Sequence, residues 1–150
     1  MKIIIKVLDT NNTFLTIISG IIVFIISQLI MEFIIKPKEE FNKIKGEILC
    51  NLKMYDNLIA NPLEYSSLKG LEDKKYYLDA SKDIRLMASK LAGILETHPI
   101  VCNKKKYYLI VSDLIGLSNG LCKNIKSNID LCDKNEKSIT EIYKIFNVKR

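Results

Sequence analysis

A run of 23 residues from Thr13 to Ile35 contains a single charged side chain, Glu32. At about 1.5 Å of rise per residue, a helix of this length reaches roughly 34 Å, which is enough to cross the hydrocarbon core of a bilayer. A helix buried in a soluble protein rarely needs apolar residues on every face. The run therefore predicts a transmembrane helix.

A cleaved signal peptide is the main alternative for an apolar segment near the N-terminus. Such a peptide has a shorter apolar core and carries small residues at its cleavage site. The run is longer than that, and no alanine occurs before Ala60. We therefore expect a short N-terminal tail over residues 1–12, a retained transmembrane helix over residues 13–36 and a helical domain over residues 37–150.

Lysines near the two ends of the run predict its orientation. Lys2 and Lys6 precede it, and four lysines follow closely: Lys36, Lys38, Lys43 and Lys45. Lysine and arginine, rather than acidic residues, determine which flank stays in the cytoplasm. We therefore expect a single-pass protein of the cell membrane, with its N-terminus outside and its C-terminal domain in the cytoplasm.

The few small and polar residues of the run leave two interpretations open. Gln28 and Glu32 lie one turn apart, and Gly20 and Ser27 add small side chains in an imperfect small-xxx-small spacing. These four residues form a candidate face for self-association, which would make the chain a homo-oligomer. The alternative is a lipid-exposed helix in which Glu32 pairs with Lys36 one turn later.

Beyond the run, apolar side chains recur at steps of three and four residues, which is the period of an amphipathic helix. Four such segments cover residues 37–61, 79–98, 104–125 and 133–146. They predict an all-α fold, in which the N-terminal transmembrane helix is followed by a small bundle of about four amphipathic helices. The expected core positions are Phe41, Ile44, Ile48, Leu52, Tyr55, Ile59, Ile84, Met87, Ala88, Leu91, Ile94, Leu95, Leu114, Leu117, Leu121, Ile125, Ile139, Ile142 and Phe146.

Several residues predict where these helices begin. Pro37 suits the first turn of a helix, or it kinks a helix that continues through it. Asp133 is a candidate N-cap with Glu136 three residues later, a variant of the capping box. The start of the third segment is ambiguous, because the stretch YYLIV from Tyr107 is equally typical of a strand.

The chain carries a formal net charge of +6, and nearly all of this excess lies after the apolar run. Lysines beside tyrosines form the most suggestive polar pattern, and they give the candidate contacts to an anionic surface: Lys74, Lys75, Lys104, Lys105, Lys106 and Tyr107. Lysine binds phosphate, while a tyrosine ring lies at headgroup level or stacks on a base. Three interpretations remain: ordinary solvated lysines, an anionic lipid surface, and a nucleotide or nucleic acid, the last being the least favoured.

Catalytic and metal-binding patterns are missing from the sequence. The chain has one histidine, His98, and its four cysteines form no C-x-x-C pair. We read the cysteines as small core residues and His98 as a residue of a helix C-terminus. The stretch IGLSNG lacks the glycine spacing and the lysine of a phosphate loop. We therefore expect no enzyme activity, no catalytic residue, no metal site and no cofactor.

Three short stretches carry a resemblance: PKEEFNKIKGEI from Pro37 to Ile48, LMASKL from Leu86 to Leu91, and LIGLSN from Leu114 to Asn119. Together with the N-terminal span, they resemble a group of short bacterial single-pass membrane proteins of unassigned function. The resemblance implies a span and a helical cytoplasmic domain. It implies no activity and no functional residues.

Two functions fit these observations. The first is a non-enzymatic, membrane-anchored helical module that self-associates or binds a partner at the cytoplasmic face, with the lipid bilayer and anionic headgroups as its surroundings. The second is a membrane-tethered receptor or effector whose basic domain binds a nucleotide or nucleic acid, as in stress or phage defence. A basic helical domain beside a membrane span is common to both.

Overall fold

A computed structural model describes residues 2–62, 70–98, 103–121 and 129–149, with side chains from Asn12 onward except that of Ile129. Within these ranges the chain is helical and contains no strand. Helix α1 covers Lys2–Ile30, a π-helical segment covers Met31–Ile35, and the remaining helices are α2 (Lys36–Met54), α3 (Asp56–Ala60), α4 (Leu71–Thr97), α5 (Lys104–Leu121) and α6 (Ile129–Ile145). The predicted all-α class is confirmed.

From Thr13 onward, helix α1 is apolar on all sides and packs little against the rest of the chain. Its large apolar side chains are exposed from Phe14 to Ile30. By length and composition, it is the one helix in the described ranges that could cross a membrane. It begins at Lys2, so the segment predicted as a tail over residues 1–12 is helical from its second residue. No glycine or proline interrupts that segment.

Pro37 lies in a helix that runs on without a break, and the π-helical segment in front of it explains how. In a regular α-helix, the ring of Pro37 would collide with the carbonyl of Phe33, and the hydrogen bond to that carbonyl would be missing. The wider π-helical turn avoids the collision. In this turn the Lys36 N–H donates to the carbonyl of Met31, five residues back. Pro37 then lies in the first turn of α2, where its missing N–H costs little.

The other helices enclose one hydrophobic core. Helix α4 packs along both α2 and α5, α5 also packs against α6, and α3 contacts α5 and α6. Most of the predicted core positions are buried, among them Ile48, Leu91, Leu114 and Ile142. Phe41 and Ile94 are partly buried at its margin. Ile125 lies outside the described residues.

Some predicted helix boundaries are wrong. Helix α4 begins at Leu71, eight residues before the predicted start. Helix α5 does begin at Lys104, as the segment predicts, and the ambiguous stretch from Tyr107 is helical. Helix α6 begins at Ile129, so Asp133 lies inside the helix and is not its N-cap. The first bundle helix, predicted to end near Asn61, ends at Met54, and the turn at Tyr55 leads into α3.

Buried and half-buried polar side chains pair across the helices. Asn135 of α6, which is 3% exposed, donates its amide N–H to the carbonyl of Ile59 at 2.9 Å. Ser81 of α4 donates to the carbonyl of Ser118 in α5 at 2.9 Å, and Ser118 donates to the carbonyl of Ser81 at the same distance. These reciprocal bonds fix the register of the antiparallel pair α4 and α5.

Candidate functional site

One end of the bundle lies next to α1, and we call it the junction end. It comprises the start of α2, the end of α4, the start of α5 and the end of α6. Aromatic rings join three of these helices: Phe41 packs edge-on against Tyr107 at 4.8 Å between ring centroids, and Phe146 lies 6.4 Å from Tyr107. The Nζ of Lys45 donates to the carbonyl of Phe146 at 2.7 Å, so a cation closes the C-terminal end of α6.

Lys104, Lys105 and Lys106 form the first turn of α5 at this junction end. Lys105 and Lys106 are exposed, and Lys104 is half-buried. The first turn of α5 contains no acidic residue. Three lysines at a helix N-terminus repel the positive end of the helix dipole, an arrangement that is electrostatically unfavourable in the absence of an anion.

Lys74 and Lys75 do not join that cluster. They lie in the first turns of α4 beside Glu72 and Asp73, whereas the lysines of α5 lie at the other end of α4. Tyr108 donates its hydroxyl hydrogen to Glu96 across this other end. From Lys74 to Glu96, α4 extends about 33 Å. The two lysine clusters, which the sequence suggested together, are therefore at opposite ends of the bundle.

The tyrosines beside the α5 lysines are engaged within the protein. The ring of Tyr107 is partly buried between Phe41 and Phe146. Tyr108 is half-buried, and its bond to Glu96 raises the pKa of its hydroxyl, since ionisation would break that bond and place two negative charges together. Tyr107 therefore belongs to the packing of the junction end.

A cavity of about 420 Å³, which we call the junction cavity, separates α1 from the end of α4. Gln28, Glu32 and Phe33 line it on one side, and Thr97 and His98 on the other. Glu32 forms an exposed ion pair with Lys36. The Nε2 atom of His98 lies 3.0 Å from a carboxylate oxygen of Glu40, which ties the end of α4 to the start of α2.

The four residues of the candidate self-association face lie on two different faces of the helix. Gln28 and Glu32 face the junction cavity. Ser27 precedes Gln28 and is rotated from it by about 100° around the helix, whereas Gly20 and Ser27 are nearly in line. A side chain added at Gly20 would meet no atom within 4 Å, and the Ser27 hydroxyl donates to the carbonyl of Val23. Gly20 and Ser27 therefore lie on an open face.

The side chains of the described residues form no cluster of three or more potential metal ligands. Two cysteines depart from the core role expected of them: Cys50 is exposed and Cys132 is half-buried. Cys50 lies on the face of α2 turned away from the core, whereas Cys132 lies nearly in line with buried Ile139, close to the start of α6. Cys102 and Cys122 lie outside the described residues. His98 caps the end of α4, as expected.

Sequence reasoning missed a polar groove of about 310 Å³ between α5 and α6. Asp113 lies in it and accepts a hydrogen bond from Ser138 at 3.1 Å. Burial raises the pKa of the Asp113 carboxyl, because the charged form loses hydration. Gly116 and Gly120 leave the groove open on the α5 side. The only sequence signal for the groove is the pair Gly116 and Gly120, which lie one turn apart on the same face of α5.

No protein-family model, curated protein or solved structure matches this chain.

Proposed function

We propose that the chain is a single-pass membrane protein whose helical bundle rests on the cytoplasmic membrane surface and serves there as a non-enzymatic interaction module. Helix α1 would cross the bilayer with its N-terminus outside. The length and all-round apolarity of α1 support the span, and the lysines that follow it support the orientation.

The observation that carries the proposal is the position of Lys104, Lys105 and Lys106. These lysines lie at the junction end, where α1 leaves the bundle, and two of them are exposed. If α1 spans the membrane, this end of the bundle is the one nearest to the headgroups. Anionic headgroups would relieve the repulsion between the lysines and the α5 dipole. Lys74 and Lys75, which lie at the end of the bundle away from the junction, would not take part in this contact.

Self-association is the form of interaction that we favour for α1. The open face with Gly20 and Ser27 would let two helices approach closely. Gln28 and Glu32, which face the junction cavity, would then lie beside this contact and not in its centre.

A receptor for a nucleotide or nucleic acid is the less favoured proposal. Stacking of a base on Tyr107 would support it, but the Tyr107 ring packs against Phe41 and Phe146. The α5 lysines would still attract phosphate, so this proposal predicts binding in solution without any lipid.

Fractionation and cysteine labelling in intact cells test the span and its orientation. The chain should resist extraction by carbonate and by high salt. Because Cys50 is exposed, labelling requires a variant with all four cysteines replaced by serine. A membrane-impermeant thiol reagent should then label Asn11→Cys and miss Lys149→Cys. Release by carbonate would refute the span, and the reverse labelling pattern would refute the orientation.

A further inference from the structure

The junction cavity between α1 and the end of α4 is lined by both apolar and polar side chains. Leu29 and Phe33 offer apolar surface from the helix that we propose to span the membrane. Glu32, Thr97 and His98 offer polar groups. With a volume of about 420 Å³, the cavity falls within the usual range of small-molecule sites. A molecule that complements both kinds of side chain is an amphiphile.

The location of the cavity indicates which class of amphiphile it binds, namely a membrane lipid. Glu32 and Lys36 form an ion pair at the end of the apolar run, so this level corresponds to the headgroup layer if α1 spans the bilayer. Gln28 lies one turn before Glu32, so the edge of the cavity at Gln28 is the one nearer to the acyl chains. Lipids are the molecules that occupy this layer at the highest concentration.

The charges around the cavity favour a cationic headgroup. The C-terminal end of α4 points into this region with its partial negative charge, and the last turn of α4 has no basic residue. Glu32 adds a carboxylate on the opposite side. His98 is turned towards Glu40, at 3.0 Å. The pair of Glu32 with Lys36 has both side chains about half exposed, and such pairs contribute little, so a second cation can share the carboxylate.

We propose that the junction cavity binds an amine-bearing phospholipid of the phosphatidylethanolamine class, with its ammonium group on Glu32 and its first acyl carbons against Leu29 and Phe33. This inference rests on the proposed span of α1. An ammonium group offers three N–H donors to a carboxylate and to helix-end carbonyls, as a lysine does. The trimethylated choline headgroup offers none.

Lipid retention by the delipidated full-length chain in detergent tests the proposal. Native mass spectrometry would follow titrations with phosphatidylethanolamine and with phosphatidylcholine of the same acyl chains. We expect about tenfold tighter retention of phosphatidylethanolamine, which corresponds to one charge-assisted hydrogen bond. Equal retention of the two lipids would overturn the proposal.

Three variants assign the preference to the cavity. Glu32→Gln should abolish it, Glu32→Asp should keep most of it, and Glu39→Gln should leave it unchanged, because Glu39 is exposed and does not line the cavity. A preference that survives Glu32→Gln would refute the site. Soluble phosphoethanolamine should compete poorly, and competition equal to that of the lipid would show a site for free amines instead.

Failure of this inference is distinguishable from failure of the proposed function. A chain that carbonate extracts from membranes has no span, and the cavity would then have no bilayer around it. A chain that resists extraction and yet retains both lipids equally would keep its membrane anchor and lose only the lipid site.

Discussion

At the residue scale, Leu91 is a direct test of the core. It is completely buried on α4, whereas Leu86 on the same helix is 50% exposed. Leu91→Ala should lower the free energy of unfolding by about 2–5 kcal/mol, because it removes buried apolar surface and leaves a cavity. Leu86→Ala, the matched control, should cost at most about 0.5 kcal/mol. Equal effects in denaturant unfolding would contradict the assigned core face.

Tyr55 predicts a dependence of stability on pH. Its hydroxyl donates to a carboxylate oxygen of Asp83 at 2.6 Å, and burial, followed by this bond, raises the pKa of Tyr55 to about 12. Tyr55→Phe should therefore cost about 1–2 kcal/mol at pH 8. Because the pKa is raised on folding, the contribution is complete below the ordinary pKa of 10.0 and is lost as the pH rises through about 12.

Thermal unfolding of both proteins in detergent between pH 8 and pH 12 measures this change. The difference in melting temperature between Tyr55→Phe and the original chain should be several degrees at pH 8 and should shrink above pH 10. Tyr143→Phe is the control, since Tyr143 lies at the margin of the core and its hydroxyl has no hydrogen-bond partner among the described residues. A constant difference across the pH range would argue against the bond to Asp83.

The residues that sequence reasoning predicted well are those whose role is local. The period of three and four residues places Ile48, Leu91 and Ile142 in the core because burial on one helix face follows from spacing alone. Tyr107 shows the limit of such reasoning. Its neighbours Phe41 and Phe146 come from distant parts of the sequence, and only the packing of three helix ends brings them together. The separation of Lys74 from Lys104 likewise depends on the antiparallel pairing of α4 with α5.

At the element scale, the errors are at helix ends. The tyrosines and β-branched residues at the start of α5 favour a strand weakly, and burial of Ile110 and Val111 between helices outweighs that preference. Asp133 resembles an N-cap, but the turn before it continues the helix and the Asp133 side chain is exposed to solvent. Capping patterns indicate where a helix is able to begin, whereas tertiary packing decides whether it begins earlier.

The π-helical segment yields a prediction about the junction. Pro37→Ala restores an N–H that can donate to the carbonyl of Phe33, so the segment should become α-helical. Since one residue of an α-helix corresponds to a rotation of about 100°, α1 should turn by about that angle relative to α2. Gln28 would then move away from Thr97, with which it shares the junction cavity.

Thiol cross-linking measures this rotation. In a variant without the native cysteines, a short bifunctional reagent should join Gln28→Cys to Thr97→Cys, and Pro37→Ala should reduce the yield severalfold. The control pair is Glu47→Cys with Lys90→Cys, which replaces an ion pair of 2.9 Å between α2 and α4 inside the bundle. Its yield should not change. An unchanged yield for the first pair would show that Pro37 does not maintain the π-helical turn.

At the scale of the whole molecule, the bundle and α1 have separate hydrophobic surfaces. The large apolar side chains of α1 from Phe14 onward are exposed, and the bundle core consists of residues from Ile44 to Phe146. The core therefore does not need α1 for its burial. A fragment of residues 38–150 should fold as a soluble helical domain with a stability of about 5–10 kcal/mol. Its circular dichroism should be helical, and a strand-dominated spectrum would contradict the fold.

This fragment allows the lysines at the two ends of the bundle to be compared. If the junction end rests on anionic headgroups, the fragment should bind vesicles that contain phosphatidylserine and should be released as salt rises. Vesicles of phosphatidylcholine alone should not retain it. Each lysine near an anionic surface contributes about 1 kcal/mol, so the double change Lys105→Glu/Lys106→Glu should weaken binding by at least about thirtyfold.

The matched control is Lys74→Glu/Lys75→Glu, which changes the net charge of the fragment by the same amount at the distal end. An attraction that depended only on the net positive charge of the fragment would be weakened alike by both double variants. An attraction through the junction end should be lost in the first variant and largely kept in the second. Lys74 and Lys75 lie about 33 Å from the junction end, and this distance is several Debye lengths at physiological ionic strength. Binding to a nucleotide without lipid, lost in the first variant, would instead favour the receptor. Equal weakening of vesicle binding by the two variants would leave no oriented contact with the membrane, and the α5 lysines would then be ordinary solvated side chains.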